Sequence, residues 1–483
     1  MGKYLTVLVF ILILLIFDSV ATYSQSWTNP VNVSSAGSND NPSLAISTDG
    51  TLHCVWSHAK GAYLSTLFYS KSTDNGTTWS EPLDITANYN KWLGSANIVC
   101  DSFNNLYVSY DYDLFNYTQT KVFYKKFNGF SWGDSIRLSG ALNGVWNNRL
   151  TIDQNNKVYC FWYGGISSGI SYICIENGIA GNIINPYSTQ GKQIRLSKAT
   201  CDNSNNVHCI GTVYNPSNPS DFPQSIYFNS VNGDWSDIQL LTSVRTTLDN
   251  DLSLNKAGIP DFVFAVITDP FNDGHCAINT STLSTGLPTI PEFVGDSSSI
   301  PAIITDINGD THIVATEDVQ SGFNLVHFFY KDGQWKKEVI DTNSQRYYQN
   351  HLYRDGKKIY WIYKKLYNVN SNTYSNVVIR RLDVVQGLTE KQPDNFSRVY
   401  PNPFCDKIEI ELLKNSQNEI TVDLFDPTGN LLCTKRFHSI PNEKARFTLS
   451  LQEGNCRILI PGLYFLFVSD GGLINRFKVI KTD

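Results

Sequence analysis

The 483-residue sequence predicts an all-β chain, a β-propeller followed by a small C-terminal β-sandwich. Three observations predict it. Seven segments share one plan, an apolar strand, a turn rich in Asp, Asn and Gly, then a second apolar strand, and they recur about every 50 residues. The strand after each turn aligns column by column. The composition favours strands: one Met against 26 Tyr, 26 Phe and 10 Trp, with no long stretch of apolar residues at a 3.6-residue period.

The turns are Asp49-Gly50, 101–105, 153–156, 202–206, 256–258, 306–310 and Asp355-Gly356. One column of the following strands holds His53, Tyr107, Tyr159, His208, Asp261, His312 and Tyr360. A position filled by His or Tyr in most units is architectural: an amphipathic ring packs while its polar tip finds a partner. Radial arrangement keeps these histidines apart, so they are not a catalytic set. Trp79, Trp132, Trp235 and Trp335 each introduce a fourth strand, and residues 27–34 repeat the pattern of residues 79–86 with no unit before them. The last unit lacks a fourth strand, so residues 27–34 are expected to complete the sheet of residues 345–385. Closure removes sheet edges that invite aggregation. Seven blades result, or six if the weak segment 143–190 is absorbed elsewhere.

The domain boundaries follow: 1–24 a signal peptide, 25–385 the propeller, 386–397 a polar linker, 398–483 the sandwich. Lys3 precedes an apolar run from Leu5 to Phe17, too short for a comfortable membrane span. No later segment could span a bilayer as a helix, so no integral span remains after signal removal. Export permits disulfides, and Cys201 and Cys209 flank one tight turn. A net charge of −6 argues against a nucleic-acid surface. There is no Cys/His zinc spacing, and Asp306-Ile307-Asn308-Gly309-Asp310 lacks the later Glu of a calcium loop. No metal or cofactor is expected, and the protein is expected to be monomeric.

Ser72, Asp74, Gly76, Thr78 and Trp79 fall at the spacing of the Asp-box of bacterial sialidase-like (BNR) repeats, which residues 27–385 resemble in architecture. The motif builds a β-hairpin turn: the carboxylate accepts backbone N–H bonds, Gly permits positive φ, and Trp packs between blades. Sialidases also carry an arginine triad, one member in an Arg-Ile-Pro sequence, with a Tyr–Glu nucleophile pair and an Asp acid/base. Here the first inner strand reads Asn41-Pro42-Ser43, without that arginine, and no Tyr and Glu match the pair.

Tyr400-Pro401-Asn402-Pro403 opens a run of alternating strands through 408–412, 420–426, 461–468 and 477–481. This run resembles the type A sorting domain of type IX secretion. The resemblance implies a Gram-negative Bacteroidetes-type bacterium, a partner in the type IX secretion machinery, and a product secreted or held on the outer-membrane surface.

A propeller carries its site on the face where the inner strands begin and the second-to-third connections lie, and those connections are long here. Asp40, Trp92, Trp146, Asn148, Arg149, Arg195, Arg346, Tyr347 and Tyr348 are expected at that mouth. Cations beside aromatic rings suit an acidic sugar. Asp249 and Asp251, with Arg149, are the candidate catalytic groups, since two carboxyls on one side of a strand meet the separation that glycoside hydrolysis needs. The leading expectation is a face that binds an extracellular glycan or protein without catalysis. The alternative is an extracellular glycoside hydrolase or polysaccharide lyase.

Overall fold

A computed structural model describes residues 26–482 apart from 87–89, 117, 165–168, 188–191, 216–217, 219–221, 268–275, 285–286, 289–291, 296–297, 321, 332–333, 344, 385–396, 403, 413–418, 427–430, 439–444, 451–460 and 470–473. The proposed signal peptide, most of the linker and Pro403 lie outside the described residues. The chain divides into two compact units, Met1–Gln386 and Gly387–Asp483.

The first unit is an all-β propeller. Its described residues form seven antiparallel sheets. The first strands are Asn39–Ile46, Leu93–Cys100, Val145–Ile152, Gln193–Cys201, Thr246–Leu254, Ser298–Thr305 and Tyr347–Asp355. Each lies beside the first strand of the next sheet, and Tyr347–Asp355 lies beside Asn39–Ile46, so the inner strands make a closed ring. The weak segment forms a sheet of its own, in which Ile179–Ala180 and Ile184–Tyr187 both pair with Ile170–Glu176.

The chain start completes the seventh sheet. Val31 pairs with Ile379 and Asn32 with Val378, antiparallel. Thr28 N–H donates to Arg381 O at 2.8 Å, and the Arg380 guanidinium donates to Thr28 O at 2.9 Å. Trp27 sits edge-on to Trp361 at 5.1 Å and to His327 at 5.4 Å. The chain start therefore covers the outer edge of Asn372–Asp383.

The repeated turns fasten neighbouring sheets. Asp101, Asp153, Asp202 and Asp306 each accept two backbone N–H bonds from their own turn. The turn residue at positive φ is Asn104 (64°), Asn156 (64°) or Asn205 (65°), where Asn tolerates the left-handed region. Its side-chain oxygen accepts a backbone N–H from the previous sheet's turn: Thr48 to Asn104, Ser102 to Asn156, Gln154 to Asn205, all within 2.8 to 2.9 Å.

The His/Tyr column packs as its composition predicts. His53 Nδ1 lies 2.8 Å from Tyr69 Oη, His208 Nδ1 2.8 Å from Tyr227 Oη, and His312 Nδ1 2.9 Å from His327 Nε2. Tyr107 and Tyr159 donate to Asp101 and Asp153, both at 3.3 Å. In the Asp-box turn, Asp74 accepts from Ser72 Oγ at 2.8 Å, Thr78 N at 2.9 Å and Thr78 Oγ1 at 2.7 Å. Gly76 has φ of 85°, and Trp79 Nε1 donates to Gly76 O at 3.3 Å.

Cys201 and Cys209 are both free thiols. Register explains it: Cys201 faces Val207 and Cys209 faces Ala199, so the two are not opposite each other.

In the second unit, Ser397–Tyr400, Lys407–Leu412 and Ala445–Ser450 form one sheet. Leu431–His438, Glu419–Phe425, Gly462–Ser469 and Ile474–Lys481 form another. Ile408, Ile410, Ile420, Val422, Leu424 and Leu466 are buried in one core, the alternation expected of a sandwich. Asn402 accepts the Ile480 N–H at 2.9 Å, and the Arg446 guanidinium lies 5.8 Å from the Tyr400 ring centre.

Candidate functional site at the channel mouth

Each inner strand carries an irregularity at the same place, just inside its start. The breaks in register fall between Asp40 and Ser43, Gly94 and Asn97, Trp146 and Arg149, Leu196 and Lys198, Thr246 and Asn250, Ser299 and Ala302, and Tyr348 and His351. Bulges re-aim side chains, and here they turn polar groups into the central channel. Asn41, Ser95, Asn147, Ile300 and Gln349 hold positive φ at these breaks. Ile300, a β-branched residue at φ 54°, is under real backbone strain.

Hydrogen bonds lock the bulges to one another. Asn41 N donates to Gln349 Oε1 at 2.9 Å and Gln349 Nε2 donates to Asn41 Oδ1 at 3.1 Å. Asn147 Nδ2 donates to Leu196 O at 2.9 Å, and Asn350 Nδ2 donates to Ile300 O at 2.8 Å. Asn148 is fully buried and donates to Asp111 Oδ1 at 2.8 Å, while Asn147 N donates to Asp111 Oδ2 at 2.8 Å. Burial raises the Asp111 carboxyl to about 6 despite these bonds. Asn148 therefore sits beneath the mouth as support.

The channel encloses a cavity of about 1120 Å³. Arg149, Arg195, Asp249, Arg346 and Tyr348 line it, together with His351, Lys198, Asn41 and Gln349, which sequence reasoning missed. The signal for the missed residues was a Pro or paired amides inside a strand pattern, as in Asn41-Pro42 and Gln349-Asn350.

The arginines differ in how far the protein uses them. Arg149 donates through Nε to Ser197 O at 2.6 Å and through Nη1 to Asn148 O at 2.8 Å. Its pKa is lowered to about 10 by burial and then by Arg195, so it stays charged at neutral pH. Arg346 donates through Nη2 to Ser299 Oγ at 2.9 Å and pairs with Asp318 at 3.3 Å. The Arg195 side chain makes no hydrogen bond or ion pair among the described residues, while its backbone pairs with Thr212. Asp249 is open to the channel yet walled in by protein. That enclosure raises its carboxyl pKa, while Arg195, Arg346 and Arg149 pull it down, in that order. His351 is held neutral, its pKa lowered to about 3 by enclosure, then by Arg149 and Lys198.

Several expected site residues stand elsewhere. Tyr347 is 0% exposed and packs in the core against Tyr363, because strand alternation sends it away from the channel that Tyr348 faces. Trp92 and Trp146 do not line the channel; Trp146 is half-buried and edge-on to Tyr163 at 5.4 Å. Asp40 pairs with Lys364 at 3.0 Å. Asp251 does line the cavity but is buried, and its oxygens accept from Leu252 N at 2.9 Å, Ile303 N at 3.0 Å and Lys198 Nζ at 2.8 Å. It ties three sheets together. What remains is three guanidiniums around one carboxyl, with a neutral imidazole and a tyrosine alongside. The surplus positive charge suits an anionic group.

Comparison with known proteins bears on each unit separately. Residues 398–482 match the secretion system C-terminal sorting domain. The tail implies secretion by the type IX route of Bacteroidetes, giving an extracellular or cell-surface protein. No curated protein matches the chain in sequence. Among solved structures, a polysaccharide lyase, the PL25 ulvan lyase, is 8% identical with a TM-score of 0.54, over 72% of this chain and 96% of the lyase. The structure of a PL25 ulvan lyase bound to -[GlcA(1-4)Rha3S]- is 8% identical with a TM-score of 0.52, over the same shares. The Hadza microbial sialidase is 10% identical with a TM-score of 0.41, over 72% of this chain and 66% of the sialidase. At such identities the lyases share the fold of the first unit.

Proposed function

We propose that the mature chain is a secreted or surface-held, monomeric protein whose propeller mouth binds an acidic saccharide without cleaving it. Residues 1–24 would direct the first export step, residues 386–397 would join the two domains, and residues 398–483 would direct passage across the outer membrane. The carrying observation is Arg195, a channel-lining guanidinium with no hydrogen bond or ion pair among the described residues, set with Arg149 and Arg346 around Asp249. A carboxylate or sulfate supplies what that cluster lacks: two or more acceptor oxygens for fixed N–H forks. The PL25 lyase holds a uronate-containing, sulfated saccharide, a ligand of the same charge class. Tyr348 offers a ring beside the cations, and amides such as Asn41 and Gln349 suit hydroxyl edges.

Binding is favoured over glycoside hydrolysis because Asp251 is engaged by three donors, which leaves Asp249 without a second free carboxyl. Calorimetric titration of the intact chain with sialyllactose, oligogalacturonates, sulfated oligosaccharides and their neutral counterparts tests the reading. Binding of acidic members, weakened by added salt and lost in Arg195→Ala, is expected. Equal affinity for neutral and acidic members, or none for either, would refute it.

One observation favours cleavage as a second reading. Asp249 has a raised pKa and faces the channel. Release of new chain ends from an acidic polysaccharide, abolished in Asp249→Asn, would establish it over binding alone.

A further inference from the structure

The face that carries the mouth also bears an aromatic pair outside the arginine cluster. Tyr63 stands on the connection between Leu52–Gly61 and Leu64–Ser72. Phe115 stands on the connection between Leu106–Tyr112 and Lys121–Phe127. Both are second-to-third connections, on the face where the inner strands begin. The rings come from neighbouring sheets and meet at 4.3 Å between centroids, with 62° between planes. Each is still open to solvent, Tyr63 at 59% and Phe115 at 61%. A single exposed aromatic needs no explanation. Two rings from separate sheets, touching each other and open on their outer side, form a small apolar platform.

Described residues on both sides of Phe115 are tied down. Asp113 holds φ of 63°, and its carbonyl accepts Asn116 N at 3.0 Å and Thr120 Oγ1 at 3.2 Å. Asp113 pairs with Lys91 at 3.3 Å. Leu114 N donates to Trp92 O at 3.0 Å, and the Leu114 side chain lies over Gly94. A Cβ on Gly94 would fall 2.6 Å from Leu114 Cδ2 and 3.8 Å from Asn41 Nδ2. Asn41 lines the channel. Phe115 therefore follows directly on Leu114, whose side chain lies over the inner-strand bulge at Gly94, and the platform shares the face that carries the mouth.

We infer that Tyr63 and Phe115 form a stacking subsite for one pyranose ring of the saccharide whose charged group enters the arginine cluster. The inference rests on the reading of the mouth as an acidic-saccharide site. A pyranose presents an apolar C–H face to the two rings, and its hydroxyl edge meets the Tyr63 hydroxyl. Two rings match one sugar in size, whereas a stable protein partner needs about 800 Å² on each side.

The test titrates the intact chain with oligogalacturonates and -[GlcA(1-4)Rha3S]- oligosaccharides of two sizes, about two and about six sugars. The longer form is expected to bind more tightly. The double variant Tyr63→Ala, Phe115→Ala is expected to weaken the longer form about tenfold, as removing two ring contacts should. It should leave the shorter form and the melting temperature unchanged, since both rings are mostly solvent-exposed. No advantage of length in the wild type, or an advantage that survives in the double variant, overturns the platform while leaving the mouth intact. If the wild type binds neither size, both readings fall. A double variant that loses a protein partner while keeping saccharide affinity also overturns the subsite.

Discussion

Arg195 and Arg149 line the same channel, but substitution should separate them. The Arg195 side chain is hydrogen-bonded to no described residue, so Arg195→Ala should weaken acidic-saccharide binding at least tenfold with a melting temperature close to wild type. Arg149 bonds to Ser197 O and Asn148 O, so Arg149→Ala should lower stability as well, by about 1 to 3 kcal/mol in a denaturant titration. Equal melting of the two variants would show that those bonds contribute nothing. The arginines were legible in the sequence because each stands near the start of an aligned inner strand. The fate of Tyr347 and Asp251 was not. Which side of a strand faces the channel depends on the bulge, and one extra residue exchanges the two sides.

At the scale of the element, the turns were the most legible feature, since Asp and an Asn or Gly at fixed spacing demand one geometry. Their role in joining sheets was not legible, because it needs the neighbour's position. Asn104 supplies both properties: a left-handed backbone and an oxygen that accepts Thr48 N at 2.9 Å. Asn104→Ala loses both and Asn104→Gly only the second, so the alanine variant should be less stable by about 1 kcal/mol. Equal stability by denaturant titration would show that the backbone conformation is not the constraint. The inner-strand bulges left a fainter trace. Pro42 and Pro301 inside strand patterns mark two of the seven, while Ser95 and Ser197 give no such sign.

At the scale of the whole molecule, closure and acid sensitivity have separate origins. Trp27 packs on Trp361 and His327 where the chain start joins the last sheet, so Trp27→Ala should destabilise the propeller by about 3 to 5 kcal/mol. A cost under 1 kcal/mol would mean that closure does not depend on this contact. Acid acts through the buried histidines. Burial lowers the His53 pKa to about 4, against about 6.5 in an unfolded chain. Between these values the unfolded chain binds the proton and the folded one does not. The contribution is therefore fully present above about pH 6.5 and lost as pH falls towards 4. His208 and His327 are lowered in the same direction, and Asp111, raised to about 6, acts in the opposite sense. The comparison that isolates His53 is the melting temperature of wild type and His53→Asn across that range: the variant should lose less on acidification, and parallel curves would contradict it. Ring closure was legible from an orphan strand at the chain start; ligand charge was not, because the net charge of −6 hides a local positive cluster.

The most direct test of the account is a crystal structure of the chain with the tightest acidic saccharide from the titration panel. A carboxylate or sulfate within hydrogen-bond distance of Arg195 and Arg346, in the channel mouth, is the predicted result. A saccharide bound elsewhere, with those guanidiniums untouched, would contradict it.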